Sequence, residues 1–494
     1  MKLPLNILKK IHFIGIGGIG MSGIAEILHN LGYNIQGSDP SKNSNTRRLT
    51  ALGVTVFDHH IEDNIGSADV VVISSAVQES NTELREARRR GLPVIKRAEM
   101  LAEIMRFRLS VAVAGTHGKT TTTSMCAAVL DAANFDPTVI NGGIINSYNT
   151  NARLGKGDWI VVESDESDGT FTKLPATIGI ITNIDPEHIE HYGSFDALRE
   201  AFYIFIEHLP FYGLGILCID HPEVRALSKR IKDRRITTYG FSADAEVRAY
   251  NLRYEKGGTY FDVDITPKNK KYIANTSEQV KVLPKRYKDL FLPMAGDYNV
   301  LNFLSTIAVA EELDINEDDI RKSLNDFKGV KRRFTRIGTV NGVDIIDDYA
   351  HHPTEIQMVL NAAKQSTKGR VLAVMQPHRY TRLRDLFDEF STCFKDADHI
   401  ILAPVFEAGE TPITGISSET LAEKIKKNQK TVTMVTDPNT IPSILAGTMQ
   451  ADDTIIYLGA GNITQWAADL PRKLAELDMT IESSNTRVPM TALR

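Results

Sequence analysis

The sequence is poor in cysteine, in long apolar runs and in net charge. Three cysteines in 494 residues, Cys126, Cys218 and Cys393, lie far apart without C-x-x-C spacing. A disulfide framework is therefore excluded, and three reduced, buried thiols are expected. No apolar run nears the roughly 18 residues that cross a bilayer, and residues 1–10 set two lysines directly after a very short apolar stretch. A cytoplasmic protein with no membrane partner is expected. Lys plus Arg (57) against Asp plus Glu (62) leaves −5 at neutral pH. That balance gives no whole-protein field for nucleic acid or anionic lipid, so anionic ligands must be held by local groups.

What is present is an ordinary apolar share, 42%, in β-rich runs that alternate with helix-patterned segments. That alternation marks α/β domains with mainly parallel sheets. At roughly 150 residues per domain the length suggests about three domains. Residues 11–15, 70–74 and 111–114 read as short buried strands, with a helix over 21–31 and basic helical stretches over 83–90 and 98–106. The pattern restarts near Arg108. Further on come strands at 159–163 and 178–183 and a helix over 195–209. The period falls to two over 246–265, broken at Lys256, Gly257 and Gly258, as in an antiparallel hairpin at a sheet edge. Helices over 299–313 and 317–327 lead to a basic linker, 328–333. The last third opens on a hairpin turned at Asn341 and Gly342, and then alternates strands (371–375, 400–404, 455–458) with helices. From Asp478 the tail is polar, aperiodic and expected to fray. The domains predicted are 1–108, 109–328 and 329–494.

Gly15, Gly17, Gly18 and Gly20 form G-x-G-x-x-G between a strand and a helix, with Asp39 at the end of the next strand. Such glycines bring backbone N–H groups and a helix N-terminus up to a diphosphate. The motif does not separate a dinucleotide from another diphosphate. The second loop, Gly115, Thr116, His117, Gly118, Lys119, Thr120 and Thr121, follows a buried strand and opens a helix, although Val113 stands where a phosphate loop has its first glycine. Its amides would wrap ATP phosphates, Lys119 would neutralise the β and γ oxygens, and Thr120 would hold Mg²⁺. Glu163, ending the strand 159–163, is the first candidate for a further metal ligand, and His188 of the 183–188 segment is a metal or catalytic candidate. Glu166 and Asp168 read as a solvated acidic loop, and His191 as structural. Arg332 and Arg333 lie in the linker. Two clusters, 347–353 and 378–382, end strands and open helices. Residues 459–462 make a third glycine turn.

Together these segments resemble the cytoplasmic Mur ligases of peptidoglycan synthesis over essentially the whole chain except the tail. The residues that carry the resemblance are HFIGIGGIGMSGIAEIL, GTHGKTTTTS, ESDESDGTF, NIDPEH, GVKRRF, DDYAHHPTEI, QPHRYTR and GAGNIT. The resemblance implies a Rossmann-like first domain, a P-loop ATPase-like central domain with the hairpin added, and a Rossmann-like third domain. It implies that the first glycine loop, Asp39, Ser74 and Ser75 bind UDP-N-acetylmuramate. Residues 115–121 would bind ATP, with Thr120, Glu163 and His188 around two Mg²⁺ ions, for which Mn²⁺ can substitute. Asn299 would face adenine, Arg333 a phosphate and Asp348 the ribose. Tyr349, His351, His378, Arg379 and Arg382 would hold or flank the amino acid, L-alanine in the alanine-adding branch. Tyr298 stands where the family often has histidine. The absence of lysine between His188 and His208, where sister ligases carry a carbamylated lysine, is in keeping with that branch.

The resemblance implies a monomer or homodimer that binds no nucleic acid. Lys119 and His188 are the catalytic candidates, His188 as the base for the incoming amine. A recycling ligase that adds a tripeptide to the same sugar is the nearest alternative. A nicotinamide oxidoreductase would explain only the first loop, and a non-catalytic nucleotide-binding regulator would need neither the metal residues nor the histidine and arginine clusters.

Overall fold

A computed structural model describes residues 9–485 except 75, 107, 256, 267–269, 273–278, 282 and 429; for 270–272, 279–281 and 478–485 it describes the backbone alone. The chain packs as two compact units: residues 1–252, 260–292 and 299–330 form one, and 253–259, 293–298 and 331–494 the other. Among the described residues no helix is long and apolar enough to cross a membrane.

The first unit holds two large sheets. In chain order β1 (Lys10–Ile14), β2 (Asn34–Ser38), β3 (Thr55–Phe57), β4 (Val70–Ile73) and β5 (Val94–Lys96) form a sheet of order β3-β2-β1-β4-β5. All its pairs are parallel. β3 and β5 escape the sequence pattern because each has three residues and neither is buried. The second sheet comprises β6 (Leu109–Ala114), β7 (Thr138–Ile145), β8 (Thr150–Arg153), β9 (Trp159–Glu163), β10 (Ile178–Ile181), β11 (Leu214–Cys218), β12 (Ile236–Gly240), β13 (Val247–Glu255), β14 (Gly258–Ile265) and, beyond a separate two-stranded piece, β17 (Lys285–Leu292). Its order is β17-β14-β13-β12-β11-β10-β6-β9-β7-β8. The predicted hairpin is thus part of the main sheet. β13 continues it parallel to β12, and β14 and β17 carry it to its edge.

The other unit has β18 (Thr335–Val340), β19 (Val343–Asp348), β20 (Val371–Met375), β21 (His399–Leu402), β22 (Val432–Met434) and β23 (Thr454–Leu458), ordered β18-β19-β23-β20-β21-β22. Only β18 is antiparallel. Its hairpin turns at Asn341 (φ 51°) and Gly342 (φ 80°). Two successive left-handed residues match the twist of the flanking strands, which is why Asn-Gly turns so tightly. Of the tail expected to fray from Asp478, the backbone is helical as far as Asn485, the end of the helix Ile463–Asn485, and residues 486–494 lie outside the described residues. Cys126, Cys218 and Cys393 are free and buried.

The central strands are buried from end to end, as parallel strands covered on both faces must be: β10, β11, β20 and β23 have no exposed residue. In the first sheet the chain runs outward from β1 through β2 to β3, then crosses to β4. In the second it passes from β6 to β7, β8 and β9 on one side and returns as β10 on the other. Each reversal opens a crevice at the strands' C-terminal ends, and the two glycine loops lie there.

The first domain also buries an acid. Glu83 is fully buried, accepts from the Ser38 hydroxyl and from Asn64 Nδ2 (2.6 Å), and lies 3.4 Å from His12 Nε2 and 3.2 Å from His60 Nδ1. Burial disfavours its charge, but hydrogen bonds from His12, Ser38 and Asn64 hold its carboxyl below the usual range. A carboxyl lowered on folding stabilises above its unfolded pKa, and that contribution is lost as pH falls through the folded value. Glu83→Ala is therefore expected to destabilise the first domain by about 3 kcal/mol at pH 7. In thermal melts the gap from the parent chain should narrow below about pH 4; a gap independent of pH would refute the ionic role.

Candidate active site

The first glycine loop is shaped from within. Gly15 (φ 79°) and Ile16 both donate to the Ser38 carbonyl at 2.8 and 3.0 Å. Asp39 Oδ2 accepts the Gly17 N–H at 2.9 Å and Oδ1 accepts the Ser41 N–H at 2.8 Å. A Cβ on Gly17 would lie 2.8 Å from Asp39 Oδ2, so only glycine permits the approach. Asp39 thus spends its carboxylate on the loop, unlike the ribose-binding acid of a dinucleotide site. Ser74 lies beside the loop, its hydroxyl 4.0 Å from where a Gly15 Cβ would be. Ser75 lies outside the described residues.

The second loop leaves β6 and opens the helix Lys119–Ala132, whose N-cap is Gly118 at φ 83°. Gly115 adopts φ 130°, and a Cβ there would sit 2.0 Å from Thr182 Oγ1. Behind the loop, the segment after β10 acts as a mould. Asn183 Oδ1 accepts the His117 N–H at 2.7 Å, while Asn183 Nδ2 and Thr182 Oγ1 donate to the His117 carbonyl at 3.0 and 2.6 Å. Thr116 Oγ1 accepts from the Asp185 N–H at 2.9 Å. Asp185 lies 3.1 Å from His117 Nε2 and 3.3 Å from His221 Nε2. Burial works against its charge, but the hydrogen bonds from these histidines hold it well below the usual carboxylate range.

Lys119 Nζ donates to the Gly115 carbonyl at 2.6 Å, to the Thr116 carbonyl at 3.0 Å and to Glu166, whose two oxygens lie at 3.0 and 2.8 Å. The expectation that Glu166 is part of a solvated loop is therefore wrong: it is 1% exposed and serves as the lysine's counter-ion. Burial pushes the Glu166 carboxyl up to about 7 against the pull of Lys119. Burial would lower Lys119, but Glu166 and Glu163 hold it above the ordinary lysine value. Asp165, which burial would raise, is held at about 2 by Arg97 and Lys119.

Glu163 ends β9 and accepts the Gly142 N–H at 2.7 Å, while Thr120 Cγ2 lies 2.8 Å from where a Gly143 Cβ would be. Both side chains therefore border the Gly142–Gly143 step. His188 adopts a left-handed backbone (φ 56°) and holds Nε2 3.9 Å from Glu166 and 3.9 Å from Glu187. Ligand atoms of Glu166, Glu187 and His188 all lie within 4.8 Å of one another. His191 packs its ring edgewise on Tyr192. Thr121 is buried on the loop's helix, and Asn299 is buried in the helix Asp297–Glu312. The same helix supplies Asn302, whose Oδ1 is 2.6 Å from where a Gly118 Cβ would lie. Sequence reasoning missed Asn302, Thr182 and Asp185. Its only signal was that Asn183 and Asp185 sit in the segment read for His188.

In the other unit, Arg332 and Arg333 separate in role. Arg332 donates to the Gly459 carbonyl at 2.6 Å and stands 3.8 Å from Asp347, so it ties down the third glycine turn. Both guanidiniums lie over the Tyr349 ring, Arg332 at 4.8 Å and Arg333 at 5.3 Å. Asp348 accepts the Phe334 and Ala350 N–H groups, both at 2.7 Å, and burial pushes its carboxyl up to about 6. Tyr349, His351 and His378 follow edge to face at 5.1 and 6.0 Å, and His378 stacks on Phe406. Burial, then His351, Arg382 and Arg379, pull His378 down to about 4. A neutral ring leaves Nδ1 as an acceptor for Arg382 Nη1 at 3.3 Å. Arg379, with φ 70°, is half exposed, 4.0 Å from Glu410.

Glycine loops at the switch points of two separate sheets, each with a parallel core, define a multidomain nucleotide-binding protein. Three family models match in turn: Mur ligase family, catalytic domain, over residues 10–108; Mur ligase middle domain over 113–310; and Mur ligase, glutamate ligase domain, over 332–461. A UDP-N-acetylmuramate–L-alanine ligase from Chelativorans sp. is 58% identical over 475 residues, 96% of this chain and 100% of that one. The chain belongs to the Mur ligase family. A UDP-N-acetylmuramate-alanine ligase structure from Thermotoga maritima aligns with TM-score 0.78 at 28% identity, covering 96% of this chain and 99% of that one. A murein peptide ligase structure from Psychrobacter arcticus shares the fold at TM-score 0.66 and 23% identity, covering 94% and 98%.

The mould behind the second loop generates a test. Asn183→Ala removes both bonds to His117 and is expected to weaken ATP binding ~10-fold, with far-UV circular dichroism unchanged. Calorimetric titration checks it, and unaltered affinity would leave the loop's shape to Thr182 and the glycines.

Proposed function

We propose that the chain is an ATP-dependent ligase that joins L-alanine to the lactyl carboxylate of UDP-N-acetylmuramate, a cytoplasmic step of peptidoglycan precursor synthesis. The observation that carries this reading is 58% identity, over 96% of the chain, to a relative with that named activity. Residues 1–108 would take the UDP-sugar through the first glycine loop and Ser74, 109–328 would take ATP, and 329–494 the amino acid.

A carboxylate does not accept an amine in water because its leaving group would be oxide. It is first phosphorylated. A lactyl oxygen attacks the γ-phosphorus, the bond from that phosphorus to ADP breaks, and an acyl phosphate forms. Lys119 would donate to the phosphoryl oxygens as charge spreads over them. The neutral amine of alanine then attacks the acyl carbon, and phosphate leaves the tetrahedral intermediate to give the amide. His188 is our candidate for taking the ammonium proton, a role that competes with its binding Mg²⁺. Arg382, oriented by neutral His378, and Arg379 would grip alanine's carboxylate, with Tyr349 and His351 beside them. Asn299, Arg333 and Asp348 are assigned to nucleotide contacts.

The Glu163 carboxylate and the Thr120 side chain border the Gly142–Gly143 step, and a carboxylate with a threonine hydroxyl is a donor set that suits a hard cation. Thr120, Glu163 and His188 would hold Mg²⁺, with Glu187 beside His188. When bound, Mg²⁺ offsets phosphate charge.

With UDP-N-acetylmuramate and ATP, ADP release is expected with L-alanine and not with a tripeptide; the reverse preference would assign the chain to tripeptide recycling. Lys119→Ala is expected to abolish acyl-phosphate formation, trapped as hydroxamate by hydroxylamine. Normal hydroxamate yield would refute the role of Lys119.

A further inference from the structure

An ammonium group has three N–H donors and no acceptor. In Lys119 these donors meet the Gly115 carbonyl (2.6 Å), the Thr116 carbonyl (3.0 Å) and the Glu166 carboxylate (2.8 and 3.0 Å). Two of the partners are the loop's own backbone and belong to its shape. The third comes from a different segment and is an anion, the same chemistry as a phosphate oxygen. Glu166 is itself anchored: its carbonyl accepts from the Tyr192 hydroxyl (2.5 Å) and the Gly169 N–H (3.1 Å). Its carboxylate also lies 3.9 Å from His188.

We propose that Glu166 is a positioning residue that holds Lys119 as an internal stand-in for a nucleotide phosphate and is exchanged for that phosphate when ATP binds. The proposal rests on the assignment of the second loop to ATP. A phosphate oxygen gains a charge-assisted bond from Lys119 by displacing the carboxylate, since displacing a carbonyl would deform the loop. Glu166 thereby keeps the buried ammonium paired before ATP arrives and sets how tightly ATP is held afterwards.

The test is calorimetric titration of the full chain with ATP in the presence of a metal chelator, which isolates the lysine from any cation. Glu166→Gln removes the competing charge, keeps the shape and is expected to tighten ATP binding ~10-fold. Glu166→Asp keeps the charge and should stay close to the parent. In a Lys119→Met background, Glu166→Gln should change affinity less than twofold, because no ammonium is left to exchange. Weaker binding by Glu166→Gln would overturn the proposal, and so would equal tightening in both backgrounds, the mark of plain charge repulsion. If Lys119→Met alone left ATP affinity unaltered, the assignment of the loop to ATP would fail instead. In steady state, Glu166→Gln should lower the KM for ATP, a change that simple loosening of the loop would not produce.

Discussion

Everything chemical in this chain depends on one geometric constraint: strands that run parallel deliver their C-terminal ends to a single edge of the sheet. At the edge of the second sheet, β6 ends in the second glycine loop, β9 in Glu163 and β10 in the Thr182–Asp185 mould. β6 sits between β9 and β10, so three segments far apart in sequence meet around one loop. An antiparallel arrangement would have sent the middle strand's loop to the opposite edge. The third sheet repeats the device with the loops that follow β19, β20 and β23, whose strands lie side by side.

Concentrating charge at such an edge carries a desolvation cost, and the structure meets it by pairing. Lys119 and Glu166 are buried together, and Asp185 has a histidine on each side. In the first domain Glu83 draws on two histidines, a serine and an asparagine. Such pairs do little for net stability compared with apolar substitutes, but removing one partner leaves the other stranded. The geometry that results is stiff. The amide and carbonyl of His117 are both bonded to the 182–183 segment, so the second glycine loop takes its shape from a neighbouring strand end rather than from its own glycines alone.

Much of this was legible in the amino-acid sequence. Apolar runs such as VVVI and VLAVM marked strands because parallel strands are buried on both faces, and each glycine loop announced a strand-to-helix junction. What stayed hidden depended on burial, which spacing does not encode. Glu166 sits in a run of acids and serines that reads as solvent-facing, yet the topology folds it under Lys119. Arg332 and Arg333 are adjacent and alike in sequence, and both lie over the Tyr349 ring, but Arg332 has a left-handed backbone and also bonds to the Gly459 carbonyl. β3 and β5 were missed because three half-exposed residues give no periodicity to read.

Gly20 has a packing role that its motif alone does not show. As the last glycine of G-x-G-x-x-G it would ordinarily permit close packing of helix on strand. Here a Cβ would fall 2.4 Å from Arg97 Nη1, so its smallness instead makes room for a guanidinium. Arg97 begins the helix Arg97–Met105 and reaches Asp165 at 2.8 Å, and Asp165 in turn feels the charge of Lys119. Beside it, Asn151 of β8 donates to the Ile19 carbonyl at 2.6 Å and accepts from Arg48 at 2.7 Å. The helix that opens at the first glycine loop is therefore bonded directly to the second sheet. Its N-terminus and the acidic segment beside Lys119 share a fixed register. Two substrates bound at separate loops could react only if that register held, and in this unit it rests on side chains rather than on a linker.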